Sequence, residues 1–383
     1  MSGSERPDMK LLVRRQGVHG IDASEYATAL RDRLPDHEVV HARTREAEER
    51  EVADAHVLTG VDVDTDLLEH ATELRLFAGG FAGTEHLPLD ALDQRGIGVT
   101  NAAGVHAPNM GEYVLGALLG HVRSFREAYQ RQERAEWRPC EVRELAGSTV
   151  AAVGLGHIGR AVVERLHAFD VETVGVRASP EKGGPTDTVR GPDGLHDALA
   201  RAAAVVLACP LTDATRGLVG GDEFDTMRAD ALLVNVARGP VVDTDALVGA
   251  LRADRIGGAT LDVTDPEPLP PEHPLWDFQN VQITPHNAGN TPDYYERLAD
   301  IVAGNVDRAA GEGWDADFEN LVVPPTRGGP TVTGRPARGV VAVPDGRTAV
   351  ARWAARRSRS GSRTPRARAR TSRPASRPRA GCT

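Results

Sequence analysis

Lysine is almost missing from this chain: Lys10 and Lys182 are the only two in 383 residues, and arginine supplies nearly all the positive charge. Cysteine is scarce as well. Cys140, Cys209 and Cys382 lie far apart with no C-x-x-C spacing, so neither a disulfide framework nor a cysteine-based zinc site is expected. They read as reduced thiols, with Cys209 buried and inert and no metal bound. Long apolar runs are missing too: nothing approaches the roughly 20 residues that cross a bilayer. The polar start, Met1 to Pro7, has no signal-peptide core. The expectation is a cytoplasmic protein with no membrane partner.

Charge is present in quantity but unevenly spread. The chain carries 45 Lys+Arg against 55 Asp+Glu, a net −10. Residues 326–383 hold 15 of those cations and one carboxylate, which leaves 30 cations against 54 carboxylates, a net −24, on residues 1–325. An acidic, lysine-poor body suits a salt-rich cytoplasm, where counterions screen the self-repulsion that works against a compact state. An ordinary acidic enzyme from a GC-rich genome would carry the same composition. The segment 326–383 lacks Leu, Ile, Lys and Glu and is crowded with Arg, Pro, Gly, Ala and Ser, so it cannot form a packed core. A basic disordered tail is expected there. Its abrupt change of character reads as frameshifted GC-rich coding sequence rather than as an arm for an anionic partner.

Along the rest of the chain, short apolar strands alternate with polar helical stretches. Residues 10–100 carry five such strand cores in the βαβ rhythm of a parallel sheet, from Lys10-Leu11-Leu12-Val13 to Gly98-Val99-Thr100. A long helical pattern then runs from Asn101 to about Arg134 and is expected to link two domains. A second α/β series spans Thr149 to about Thr284, and residues 292–311 read as one more helix.

The second series opens on Gly154-Leu155-Gly156-His157-Ile158-Gly159, directly after an apolar strand and directly before a helix. In that context the glycines have separate tasks. The first makes the tight turn, the second lets a pyrophosphate approach the backbone, and the third packs helix on strand while the helix N-terminus faces the phosphates. The motif sits in mid-chain, so a complete α/β unit precedes it. This predicts a dinucleotide-binding domain at 101–287 inserted into a discontinuous substrate-binding domain of residues 1–100 and 288–323, with the site in the cleft between them.

Further segments come in order: Pro210-Leu211-Thr212, Val234-Asn235-Val236-Ala237-Arg238-Gly239, Leu261-Asp262-Val263 leading to Pro266-Glu267-Pro268, and Thr284-Pro285-His286. With the glycine motif, these make residues 55–323 resemble the D-isomer-specific 2-hydroxyacid dehydrogenases. The resemblance implies two doubly wound parallel-sheet α/β domains, a Rossmann cofactor domain inserted into a flavodoxin-like substrate domain. It also implies hydride transfer between NAD(P)H and a small 2-oxo acid or D-2-hydroxy acid, and a homodimer with the helix after Asn101 as candidate interface. Arg238, Glu267 and His286 match the family's catalytic residues. Ala82 and Gly83, in a glycine-containing loop, match its substrate-carboxylate site, where main-chain amides form an anion nest. Besides Gly154, Gly156, His157, Ile158 and Gly159, cofactor contacts are implied for Pro210 on the adenosine side, Val236 and Arg238 on the nicotinamide side, and Asp262 at the carboxamide.

The chemistry gives separate reasons for the three catalytic types. Hydride delivery to a ketone builds negative charge on its oxygen, and an imidazole, which titrates near neutrality, can give or take the proton in either direction. A carboxylate beside imidazolium favours the charged ring and fixes its orientation. A planar guanidinium grips a carboxylate through two hydrogen bonds.

Cofactor choice turns on the residue that ends the second Rossmann strand. An NAD site places Asp or Glu there to accept from the ribose hydroxyls, whereas Glu172-Thr173-Val174-Gly175-Val176 ends in Arg177. A guanidinium can pair with a 2′-phosphate, with Ser179 and Lys182 as further donors, so NADP(H) is preferred and NAD(H) possible. A dinucleotide-sensing corepressor on the same fold is the alternative. The acidic body and the lack of any nucleic-acid motif favour the enzyme.

The charge imbalance generates a test. Melting temperature should rise as KCl increases toward molar levels, because screening relieves carboxylate repulsion on the body. Maximal stability in dilute buffer would contradict the salt-adapted reading.

Overall fold

Among the described residues, thirteen short strands form two sheets. The structure, a computed structural model, describes residues 9–18 and 20–326; the expected basic tail at 326–383 lies outside the described residues apart from Thr326. In chain order the first half contains β1 (Lys10–Val13), α1 (Ala23–Arg33), β2 (Glu38–His41), α2 (Arg45–Glu51), β3 (Val57–Gly60) and α3 (Thr65–His70). It continues with β4 (Leu76–Gly79), α4 (Leu89–Gln94) and β5 (Gly98–Thr100). Two helices come next, α5 (Ala107–Val122) and α6 (Phe125–Glu133).

The second series comprises β6 (Thr149–Val153), α7 (His157–Leu166), β7 (Glu172–Val176), β8 (Thr188–Arg190), α8 (Leu195–Arg201) and β9 (Ala204–Leu207). Then come α9 (Gly221–Thr226), β10 (Leu232–Asn235), α10 (Thr244–Arg252), β11 (Gly258–Leu261), β12 (Val281–Ile283), α11 (Tyr294–Glu312) and β13 (Leu321–Val323).

The first sheet has the order β13-β5-β4-β3-β1-β2 and the second β12-β11-β10-β9-β6-β7-β8. Without its antiparallel edge strand β13, the first follows the 2-1-3-4-5 flavodoxin-like order. The second follows the 3-2-1-4-5-6 Rossmann order with one strand added. Parallel strands buried on both faces need continuous apolar runs, and β1, β3, β4, β9 and β10 are buried at every position. The chain therefore forms two doubly wound parallel-sheet α/β units. Helix α11 returns to the first of them: Leu298, Val302, Val306 and Ala309 recur at helical spacing and join a core with Tyr26, Leu30 and Leu34.

Three details depart from the sequence expectation. The long helical pattern after Asn101 is two helices, broken where Ser124 adopts φ 53°, a left-handed conformation that a continuous helix cannot contain. Strand β8 was not expected, since Thr188-Val189-Arg190 has a single apolar residue; it forms because the β7 edge pairs with it. No strand was expected after the 292–311 helix, yet Leu321–Val323 adds β13 antiparallel to β5.

One buried charge cluster supports the site. Arg14, at the end of β1, is 2% exposed and pairs with Glu48 of α2, which is fully buried. Its guanidinium also donates to the Asp62 carbonyl at 2.5 Å in the loop after β3. That loop in turn holds the ring of His86 at 2.7 Å through the Val61 carbonyl. Desolvating such ions costs several kcal/mol each, so the cluster is tolerable only because its partners are complete. Among the described residues, no helix is long and apolar enough to cross a membrane.

Candidate active site

Because β10, β11 and β12 are parallel and adjacent, with Asn235 beside Leu261 and Leu261 beside Ile283, their C-terminal ends lie along one edge of the sheet. The segments that leave them carry Arg238, Glu267 and His286. Glu267 and His286 meet directly: Glu267 Oε1 lies 2.6 Å from His286 Nδ1. A carboxylate only accepts, so Nδ1 carries a proton and Nε2 is left for a reacting oxygen. Both side chains are about half exposed, which keeps them reachable by substrate. Arg238 is exposed at the same edge, its Nη1 turned back onto the Ala237 carbonyl at 2.7 Å. The next residue, Gly239, packs so closely on Thr264 that a Cβ would stand 1.8 Å from its carbonyl oxygen. This contact holds the arginine segment against the segment that carries Glu267.

His286 has φ 54°, a left-handed conformation that costs a non-glycine residue about 1–3 kcal/mol unless its surroundings over-determine it. They do. The His286 N–H donates to the Asp262 carbonyl at 2.9 Å, and the Asp262 carboxylate accepts from Asn287 N–H at 2.8 Å and Ala288 N–H at 2.9 Å. Asp262, implied at the cofactor carboxamide, is 2% exposed and holds Thr284 Oγ1 and two backbone amides beneath the histidine loop. Val236, implied at the nicotinamide, is also 2% exposed and packs in a core with Val234, Met110 and Ala288.

In the first unit, Ala82 and Gly83 lie exposed on the loop that leaves β4. The loop is fastened by Gly80 N–H to Gly60 O at 2.7 Å and by Asn101 Nδ2 to the Ala82 carbonyl at 2.7 Å. Tyr294 at the start of α11 donates to the Gly80 carbonyl and packs its ring on His106, whose Nδ1 lies 2.6 Å from Gly289 O. Gly80 and the segment after His286 are thus linked through two aromatic rings.

The glycine motif fits a dinucleotide. Gly154 adopts φ 99°, and a Cβ on Gly159 would meet the Gly154 carbonyl at 1.9 Å, so turn and packing account for these two. Gly156 is different: nothing lies within 4 Å of its would-be Cβ. It opens space at the start of α7, a helix whose first N–H groups receive no side-chain cap. Uncapped amides, helix dipole and clear space are what a pyrophosphate requires. His157 and Ile158 form the first helical positions, with His157 exposed.

Arg177 leaves β7 with its Nη1 on the Gly183 carbonyl at 2.5 Å, which folds the 179–184 loop around the guanidinium. Burial, and then the positive charge of nearby Arg160, hold it below the ordinary arginine range, with Glu181 opposing. Exposed Pro210 comes after β9, and its carbonyl accepts from Thr215 Oγ1 at 2.6 Å. Burial pushes the adjacent Cys209 thiol up to about 11, which leaves it protonated and inert at neutral pH.

Sequence reading missed Arg160, Asn109, Tyr113 and Thr284 as parts of this region. The spacing of Asn109 and Tyr113, four apart on one helix, was the available signal.

Residues 115–288 match the family model described as D-isomer specific 2-hydroxyacid dehydrogenase, NAD binding domain. A glyoxylate reductase of Thermofilum pendens is 36% identical over 254 residues, covering 64% of this chain and 74% of that protein. One of Aeropyrum pernix is 34% identical over 281 residues, covering 71% and 82%. Among solved structures, a D-isomer specific 2-hydroxyacid dehydrogenase from Xanthobacter autotrophicus Py2, in complex with NADPH and MES, superimposes with a TM-score of 0.67 at 28% identity, over 83% of this chain and 99% of that one. Fold, motif order and relatives agree, and this chain belongs to the D-isomer specific 2-hydroxyacid dehydrogenase family as an NAD(P)-dependent enzyme.

Proposed function

We propose that the protein reduces small 2-oxo acids to D-2-hydroxy acids, with Arg238 binding the substrate carboxylate and the Glu267–His286 pair handling the proton. The observation that carries this reading is the 2.6 Å contact between Glu267 and His286 Nδ1, on strand ends adjacent to the one that carries Arg238. A bound nicotinamide dinucleotide would supply the hydride. Arg238 pairs with the carboxylate, assisted by the main-chain amides around Ala82 and Gly83. His286 donates its Nε2 proton to the carbonyl oxygen as charge builds there, and Glu267 stabilises the imidazolium and holds the ring in place. The names of the two reductases make glyoxylate the first substrate to try.

The preferred cofactor in this reading is NADPH. Arg177 and Arg160 bring two guanidinium groups to the end of β7, where an NAD-specific site has a carboxylate, and a 2′-phosphate would relieve their repulsion. NADPH in the Xanthobacter structure is consistent with this choice.

The assembly is read as a homodimer. Phe125 and Tyr129 on α6, Trp137 beyond it and Trp276 across the sheet edge are exposed large apolar residues. All but Trp137 line a groove of about 1280 Å³ that also includes Gly116 and Gly120 of α5. This reading centres the interface implied for the helical stretch after Asn101 on its second half, since α5 packs mainly on α7 while α6 and the segment just beyond it carry exposed apolar residues. Sedimentation velocity should report a dimer that Trp137→Glu weakens, and a monomeric wild type would contradict this assignment.

Steady-state kinetics test the chemistry. His286→Ala should lower kcat by about 100-fold or more while dinucleotide binding survives, and Arg238→Ala should chiefly raise KM for the oxo acid. Near-wild-type turnover by His286→Ala would exclude the mechanism. For the cofactor, kcat/KM should favour NADPH over NADH, and Arg177→Asp should reverse that order mainly through KM. A wild-type preference for NADH would overturn the assignment.

A further inference from the structure

We propose that Tyr113 is a positioning residue for the catalytic histidine, acting through a relay of side chains, Tyr113 to Thr284 to Asp262, that fixes the backbone carrying His286. The inference rests on the reading of His286 given above.

The relay is continuous. The Tyr113 hydroxyl on α5 lies 2.6 Å from Thr284 Oγ1, and Thr284 donates to Asp262 Oδ1 at 2.6 Å. A threonine hydroxyl has one hydrogen, and a carboxylate can only accept, so that hydrogen points to Asp262 and Tyr113 must donate to Thr284. Burial pushes the Tyr113 phenol up to about 12, which keeps it a donor across the working pH range. The far end of the relay is the Asp262 carboxylate, whose remaining acceptor sites hold Asn287 N–H and Ala288 N–H. Those are the two residues directly after His286, whose φ of 54° needs external support.

The same face of α5 grips the loop a second time. Asn109, one turn before Tyr113, donates to the Ala288 carbonyl at 2.8 Å and to the Asn290 carbonyl at 3.3 Å. Helix α5 therefore bonds to the strand end just before His286 and to the loop just after it. Loss of the Tyr113 hydroxyl leaves the ring volume intact, so its effect should pass through hydrogen bonding to the loop rather than through core packing.

The test is a double-mutant cycle of Tyr113→Phe and Thr284→Val, read with NADPH or NADH, whichever the wild type uses, and glyoxylate. Tyr113→Phe should lower kcat by about 3- to 10-fold, as expected for one hydrogen bond. KM for the oxo acid and the dinucleotide Kd from fluorescence titration should stay within about two-fold. In the Thr284→Val background, Tyr113→Phe should have no further effect, because the relay is already cut. Independent, multiplying effects would overturn the proposal, as would an unchanged kcat or a fall in kcat matched by lost thermal stability and cofactor binding. Hydrogen exchange of the 284–290 segment supplies a readout that needs no turnover. It should accelerate in Tyr113→Phe while 107–122 stays protected. If the wild type reduces no oxo acid, the functional reading fails, and the exchange result alone decides the relay, an unchanged rate refuting it.

Discussion

The parallel pairing of β10, β11 and β12 is the constraint on which the rest depends. Parallel neighbours in register place successive strand ends on the same edge of a sheet, so the segments that carry Arg238, Glu267 and His286 leave from one edge although 48 residues separate the first from the last. The same rule operates at the other end of the domain. Strands β6 and β9 flank the point where the strand order reverses, and the crevice there is where a dinucleotide finds the uncapped start of α7.

A carboxylate serves different purposes at two depths in this site. Glu267, half exposed, accepts from His286 Nδ1, and in the proposed mechanism it orients that imidazole. Asp262, buried, collects two backbone amides and a hydroxyl, and its own carbonyl takes the His286 amide. The strained φ of His286 is thus held by backbone hydrogen bonds that converge on a single residue. At the opposite end, the positive charge of Arg160 acts on Arg177 at the end of β7, and the proposed 2′-phosphate would offset it.

Much of this was legible in the sequence because the signals were local. Continuous apolar runs announce buried parallel strands, and the glycine motif is a contiguous turn, so the two sheets and the start of α7 follow from spacing alone. The motifs that carry Arg238, Glu267 and His286 each follow a strand, and the contact between Glu267 and His286 joins two of them. The features that escaped it depend on contacts across the fold. The helix break at Ser124 has no proline or glycine to mark it, and β8 exists only because β7 offers an edge. The burial of Asp262 and Val236 could not be read from a motif, which names residues without their depth. Tyr113 and Thr284 are 171 positions apart and become partners only when α5 crosses the end of β12.

Whether three strand ends assemble one substrate site is decided by a crystal structure of the enzyme with dinucleotide and oxamate, an unreactive 2-oxo acid analogue. The expected complex has the Arg238 guanidinium on the oxamate carboxylate, together with amides near Ala82 and Gly83, and His286 Nε2 within hydrogen-bond distance of the 2-oxo oxygen while Nδ1 stays on Glu267. An oxamate bound away from Arg238, or a His286 turned off Glu267 in that complex, would contradict it.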